Sequence, residues 1–441
     1  MKKFKSLLMA FAGISAATLP MVAAGCHNDK PAKYVEPNNR ITKGQIQVNS
    51  SIAEKVKEIK ELPTVALVTE SANVLDKSFN QSAWESVLTL YDQVKEAGKT
   101  MTIRPIEPDQ SQSLATTYNS LLSQGIKVWI LSGYKHSEEL PKYINEHAQE
   151  LIDKGIKIIG IDYSIDPNKD LNENGRKFKN CYCLEYNVQE PAYIVGQAVA
   201  DYLKKYSPEN QKTAAFGGGD YKGVTDFING YVKGVYTFDK ANSAKVSIAL
   251  PSSGQINVGA GFDNNDTMRQ VVLETIALKS KIILPVAGTA TAVVLDELQS
   301  GNSDSLIIGV DADQSKAFPG REGKFFSSIT KNIGKSVYDA LLYAIFGINT
   351  ANIFNETLEG IHGSFAQGWV GYAQSTISDK EQRDFVNAAL AKYDAAFRSA
   401  TKQTIDYVDS NATLPNTPAS ASVTGIAVGN TVAAEVNKLA K

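Results

Sequence analysis

Five short stretches of this 441-residue chain carry residue types that could hold a small polar molecule. The first is Leu75-Asp76-Lys77-Ser78-Phe79-Asn80-Gln81-Ser82-Ala83-Trp84, where acceptors, donors and one aromatic ring meet at the start of an amphipathic run. Read alone, it serves a ligand or simply starts a helix, with Ser78 or Asn80 as cap and Phe79 as hydrophobic staple. The second, Val258-Gly259-Ala260-Gly261-Phe262-Asp263-Asn264, sets a Phe among glycines and polar residues, as a ligand contact or a loop anchor. In the third, Ala287-Gly288-Thr289, glycine lets backbone approach a ligand closely or makes a plain tight turn. The fourth, Gly309-Val310-Asp311-Ala312-Asp313-Gln314, ends an apolar run in an acid, for a ligand or for a cap. The fifth, Ser327-Ser328-Ile329-Thr330-Lys331, leads into an apolar helical segment. A lysine at a helix start opposes the macrodipole. It points to an anionic partner, for which Asp311 is a candidate, or to an exposed side chain that bears a small penalty.

Catalytic signatures are missing. Gly334-Lys335-Ser336 has Ile329 where a phosphate-binding loop needs its first glycine, and Gly217-Gly218-Gly219 continues as Asp220-Tyr221-Lys222 rather than G-x-G-x-x-G. G-x-S-x-G, H-E-x-x-H and C-x-x-C do not occur. The four histidines (His27, His136, His147, His362) are scattered. Cys181 and Cys183 stand two apart on a strand-like run, facing one side. With no further ligands nearby they are expected to be a buried, reduced pair. Without a nucleophile–base pair, a metal set or a cofactor loop, the expectation is a non-enzymatic binding protein that needs no cofactor.

The five stretches fall where β-branched runs give way to amphipathic segments. Runs at 64–69, 128–131, 156–161, 214–216, 246–250, 282–286 and 306–310 alternate with helical segments such as 81–97, 138–154, 224–236 and 331–346. Near-continuous apolar strands followed by helices imply parallel sheets covered on both faces. There are too many pairs for one sheet, so an α/β fold of two doubly wound lobes is expected, with ligand in the crevice at the strands' carboxyl ends. The first lobe is expected to take 63–187 plus 321–375 and the second 188–320. A charged excursion covers 166–179, and 376–441 holds one helix (381–397) and a polar tail.

The N-terminus carries Lys2, Lys3 and Lys5, then an apolar stretch over 7–22, then Ala23-Ala24-Gly25-Cys26. A positive start, a short apolar run and small residues make a secretory signal. The last four residues resemble a bacterial lipobox, which implies cleavage of 1–25 and lipidation of Cys26; the alternative is a plain signal with an incidental cysteine. Residues 26–62 read as a tether, and no later stretch is apolar enough to span a bilayer. The protein is thus expected on the outer face of the cell membrane, held by lipid. Forty-five Lys and Arg against 47 Asp and Glu leave a net charge of -2, which argues against nucleic acid as a partner.

The Asp76–Trp84 loop, then Phe216-Gly217-Gly218 with Val224, Phe227, Gly230, Tyr231 and Gly234, then Gly309–Gln314, then Ser327–Lys331, occur in an order that resembles the basic membrane protein family. These are the purine nucleoside receptor (PnrA-like) substrate-binding lipoproteins of ABC transporters, and the resemblance covers roughly 63–375. It implies a type I periplasmic-binding fold and a monomer that passes guanosine, inosine or adenosine to an ABC permease. It further implies that Phe79 and Phe262 stack on the two faces of the purine. Asp76, Asn80 and Asp162 would lie near the base edge, with Ser78 in the same loop. Asp311 and Lys331 would bind the ribose hydroxyls, and Gly288 would offer backbone. The glycine stretch 217–223 lacks the family's proline, and 166–179 and 376–441 are additions. A sugar or a pyrimidine nucleoside is the alternative solute. A nucleoside hydrolase or phosphorylase would need a metal-binding Asp cluster or a phosphate site, and an adhesin an exposed apolar patch.

Overall fold

The computed structural model describes residues 35–441 except 43, 71–72, 110, 350–353 and 355–359; the leader and Cys26 lie outside the described residues. The strands are β1 (Val65–Thr69), β2 (Ile103–Ile106), β3 (Val128–Ser132), β4 (Lys157–Ile161), β5 (Cys181–Tyr186), β6 (Lys212–Gly217), β7 (Ser247–Ile248), β8 (Ile282–Val286), β9 (Leu306–Asp311), β10 (Phe325–Lys331), β11 (Ile361–Gly363) and β12 (Val370–Tyr372). The helices are α1 (Ile52–Glu58), α2 (Phe79–Glu96), α3 (Leu114–Ser123), α4 (His136–Asp153), α5 (Gln189–Tyr206), α6 (Lys222–Asn242), α7 (Asp266–Ala277), α8 (Ala290–Ser300), α9 (Ile333–Phe346), α10 (Lys380–Arg398), α11 (Lys402–Asp409) and α12 (Ile426–Leu439).

Two six-stranded sheets form, in the orders β11-β5-β4-β3-β1-β2 and β12-β10-β9-β8-β6-β7. Among the described residues every pairing is parallel except β10 with β12. The continuous apolar runs are buried on both faces, as Val65, Ala66, Leu67 and Val68 show, because helices cover each side of a parallel sheet. The two sheets repeat one strand order, so β4 and β9 hold equivalent positions. Each leads into an aspartate in left-handed backbone, Asp162 at φ 74° and Asp311 at φ 66°. Non-glycine residues seldom adopt that region, and where they do the strain often marks a functional site.

The lobe boundaries differ from the expected ones. Both β10 and β12 join the second sheet, α9 returns to pack on α2, and β11 joins the first sheet. The segment 321–375 is therefore shared between lobes. Ser327-Ser328 disguises β10 in the sequence, although both serines are buried. It follows that Lys331 ends a strand; α9 starts later, with Asn332 at its N-cap.

Part of the expected tether is docked on the body. Glu85, fully buried on α2, accepts the backbone N–H groups of Ile41 (2.8 Å) and Thr42 (2.7 Å), and Ile52 and Val56 of α1 are buried. The expected polar tail is docked too. Besides α10, which packs on α5, α12 packs on α6 with Val428, Val432, Ala433 and Val436 buried. Small apolar residues at helical spacing, interleaved with Thr and Asn, hid that face. Cys181 and Cys183 are buried and unbridged, their sulfurs 3.9 Å apart. Among the described residues no helix is long and apolar enough to cross a membrane.

Candidate functional site

Parallel strands send all their carboxyl ends to one edge of each sheet. The edges of the two sheets face one another across a cavity of about 650 Å³, counting the open solvent at its mouth. Asp76, Phe79, Asn80, Asp162, Phe262, Gly288, Asp311 and Lys331 line it. Ser78 does not line it and is fully buried behind the wall.

The loop after β1 is built around Asp76. Its carboxylate accepts backbone N–H bonds from Ser78 (2.9 Å), Asn80 (2.9 Å) and Gln81 (3.1 Å). Asp76 thus caps α2, the work that local reading gives to Ser78 or Asn80. Burial pushes its carboxyl up to about 6, against the three N–H donors that lower it. Relieved of capping, Ser78 donates its hydroxyl to Asp311 Oδ2 on the other lobe at 2.8 Å. Ser132 Oγ donates to Asn80 Oδ1 (2.8 Å), which leaves the amide N–H₂ as the polar group Asn80 can offer a ligand. A Cβ on Gly288 would stand 2.6 Å from Ser78 Cβ. Gly288 therefore lets the lobes close on each other, a role distinct from the expected approach to ligand.

Lys331 is the centre of charge, its side chain 1% exposed. Its Nζ donates to both carboxylate oxygens of Asp162 at 2.8 Å and to Gly223 O at 3.1 Å, while Asp311 Oδ1 lies at 3.8 Å. The expected Lys331–Asp311 pair is thus one side of an Asp162–Lys331–Asp311 triad. Asp162, expected at the base edge, is held by the ammonium instead. The rings of Phe79, Tyr186 and Phe227 surround Nζ at 5.4, 5.8 and 5.0 Å, close enough for cation–π attraction. Burial raises the Asp311 carboxyl, with Lys331 and Ser78 pulling it back down.

Sequence reading missed Glu70, Ser132, Tyr134, Tyr221 and Phe227, which also line the cavity. Tyr134 follows β3 in the first lobe and Tyr221 follows β6 in the second. Their rings stack across the cleft at 4.7 Å and 28°, and Tyr221 stacks on Phe262 at 6.4 Å and 22°. The available signal was position alone, a tyrosine just beyond a strand end. Like Ser78–Asp311 and Lys331–Asp162, this stack bridges the two lobes directly across the cleft.

Glu70 accepts the Lys135 backbone N–H, and burial pushes its carboxyl up to about 7. The native state thus keeps a proton that the unfolded chain releases at an ordinary glutamate pKa. More protons are bound in the native state between those two values, so this group's stabilising contribution is lost as pH rises through that window. Glu70→Gln should flatten that part of the pH dependence and raise stability by up to about 3 kcal/mol at about pH 8, with little gain at about pH 4. Urea unfolding of both proteins across that range is the check, and equal pH profiles would refute it.

Residues 63–352 match the family described as ABC transporter substrate-binding protein PnrA-like, Bmp. The chain belongs to this family. Among its relatives is the ABC transporter nucleoside-binding protein BmpA of Lactococcus lactis subsp. cremoris, 24% identical over 289 residues (62% of this chain, 72% of the relative). Basic membrane protein C of Borreliella burgdorferi is 26% identical over 290 residues (64% and 73%). In fold, this PnrA-like protein is similar to an ABC transporter solute-binding protein from Aeropyrum pernix, with TM-score 0.56 and 18% identity over 79% of this chain and 89% of that one. A transcriptional activator of the comK gene from Bacillus halodurans has TM-score 0.51 and 14% identity over 77% and 99%. The expected family and the two-lobed type I periplasmic-binding fold are both borne out. The C-terminal helices α10–α12 lie beyond the matched residues.

Proposed function

We propose that this substrate-binding protein captures purine nucleosides in the cleft, without a chemical step, and delivers them to the permease of an ABC importer. A lipid on Cys26 would hold it to the outer face of the membrane. The observation that carries the reading is the pairing, in one cavity, of two aromatic rings with a buried acid–ammonium set. Phe79 and Phe262 would sandwich the base, because every purine offers a π-face. The Asn80 amide would donate to the base edge. Asp311 would accept from vicinal ribose hydroxyls in charge-assisted bonds, and Lys331 keeps that acid ionised. The name of the Lactococcus relative, a nucleoside-binding protein, supports the same ligand class.

Phe79→Ala and Phe262→Ala should each weaken inosine binding by ~1–3 kcal/mol, with the fold retained. Calorimetry with inosine, uridine and ribose tests the assignment. If ribose alone binds as tightly as inosine, and both phenylalanine variants bind normally, the protein is a sugar receptor.

The anchor has its own test. Ala23-Ala24-Gly25 precedes Cys26 at the end of an apolar run. Intact mass of the membrane-extracted protein should show loss of residues 1–25 and a gain of acyl mass on Cys26. A soluble product with an unmodified Cys26 would refute it.

A further inference from the structure

The segment ahead of α1 carries a single β-branched apolar residue, Ile41, in the polar stretch Asn38-Asn39-Arg40-Ile41-Thr42. It precedes the residues that match the family, yet the fold builds it in. Glu85 on α2 is a carboxylate with no exposed surface. It accepts the backbone N–H groups of Ile41 and Thr42, the Thr42 hydroxyl and the Gln81 side-chain amide. A carboxylate buried this deeply needs its donors, so the docked segment is integral to the folded body. Trp84 Nε1 adds a bond to Val35 O at 2.7 Å.

Residues 35–42 form a strap that touches both lobes. On the first lobe, besides the Glu85 bonds, Gln81 Nε2 donates to Asn39 O at 2.9 Å. On the second, Asn39 Nδ2 donates to Lys316 O at 2.8 Å. Ile41, 1% exposed, belongs to the apolar cluster built on the second sheet, with Phe216, Ile307, Ala317 and Phe318. Each of these attachments lies one step from a ligand loop. Gln81 also gives its backbone N–H to Asp76 at 3.1 Å, so a single residue bonds the strap to the loop before α2. Lys316 sits in the 3-10 turn Gln314–Ala317 that follows Asp311, where Gln314 Oε1 accepts the Val310 N–H at 2.9 Å. No strap residue lines the cleft itself.

We propose that this strap is part of the binding machinery, with Asn39 and Ile41 as positioning residues. They touch no ligand. They hold the Asp76–Gln81 loop of one lobe against the Asp311 loop of the other, in the arrangement where Ser78 reaches Asp311 at 2.8 Å. Loops fixed in advance spare the ligand part of the ordering cost of binding. The inference rests on the cleft being the ligand site proposed above. A strap that served stability alone would leave the affinity of the folded protein unchanged.

The test compares the full chain with Asn39→Ala, Ile41→Ala, Ile41→Val and Val56→Ala. The last is a control: Val56 is fully buried in α1, which packs on α2. Two quantities are read: hydrogen exchange of the ligand-free protein at the Ser78, Asn80, Gln81 and Lys316 amides, and inosine affinity by calorimetry. Ile41→Ala should speed exchange at both loops severalfold and weaken inosine binding about tenfold, or 1.4 kcal/mol. Asn39→Ala should move both in the same direction by less, and Ile41→Val should stay near the parent. Val56→Ala should lower the urea midpoint while leaving loop exchange and affinity near the parent. If Ile41→Ala does not fold, Asn39→Ala decides. The proposal falls if the folded strap variants leave both loops unchanged, if the loops loosen without loss of affinity, or if Val56→Ala acts as they do. If the parent takes up no inosine, the nucleoside reading fails instead, and exchange at the two loops alone decides the strap.

Discussion

Asp311→Asn should remove most purine nucleoside binding, at a cost of ~2–5 kcal/mol, much of it from groups left unpaired in the cleft. The carboxylate sits at the end of β9 in left-handed backbone, 6% exposed. It takes the Ser78 hydroxyl on one oxygen and stands 3.8 Å from the Lys331 ammonium on the other. An amide keeps the shape but brings an N–H₂ toward that ammonium and loses the charge that ribose hydroxyls would answer. Calorimetry with inosine and hypoxanthine on the parent and the variant reads the effect. The parent should prefer inosine by a comparable amount, and the variant should lose that preference. Equal affinity of the parent for the two ligands, or a variant as tight as the parent, would mean that no ribose is read here.

Lys331→Met should destabilise the protein itself by ~3–5 kcal/mol, because it strands the buried Asp311 carboxylate and the partly buried Asp162 carboxylate, whose shared cation is gone. Asp162 loses its 2.8 Å partner, and both acids then repel across the lobe junction. The Asp311 carboxyl, already raised by burial and held down by Lys331, should rise further above its unfolded value in the folded variant. The variant then holds more protons folded than unfolded, so it should lose stability relative to the parent as pH rises through that window. Adding Asp162→Asn should restore a large part of the stability while leaving inosine binding poor. Urea unfolding of the parent, the single and the double variant is the measurement. A single variant as stable as the parent at neutral pH would show that the triad bears little of the lobe junction's energy.

How much of this site could be read in advance follows from its geometry. The alternation of apolar runs with amphipathic segments specifies strands and covering helices, because a strand without alternation must be buried on both faces. Parallel order with crossover helices then puts every strand's carboxyl end on one edge. An acid that directly ends an apolar run, as Asp311 does, is thereby placed at the cleft whatever the details, whereas Phe79, Phe262 and Lys331 each also fitted a staple, a loop anchor or an exposed side chain, and the family resemblance rather than the pattern pointed them at a ligand. The same logic was open to Tyr134 and Tyr221, which follow β3 and β6. They were passed over because a lone tyrosine beyond a strand has no local chemistry until its partner is opposite it.

Which group meets which was decided only in three dimensions. Asp76 rather than Ser78 caps α2 because the chain turns so that three N–H groups converge on that carboxylate. Lys331 chose Asp162, 169 residues away, over the nearer-in-sequence Asp311, and Ser78 reached Asp311 across 233 residues. The docking of α12 on α6 turned an apparent polar tail into part of the packed body. Residue type and local pattern act over a turn of helix or a few residues of strand, and so they determine which edge a side chain reaches. Hydrogen bonds and ion pairs act over about 3–4 Å. Their partners are therefore settled by how the two lobes and the C-terminal helices pack, which the chain's local pattern does not encode.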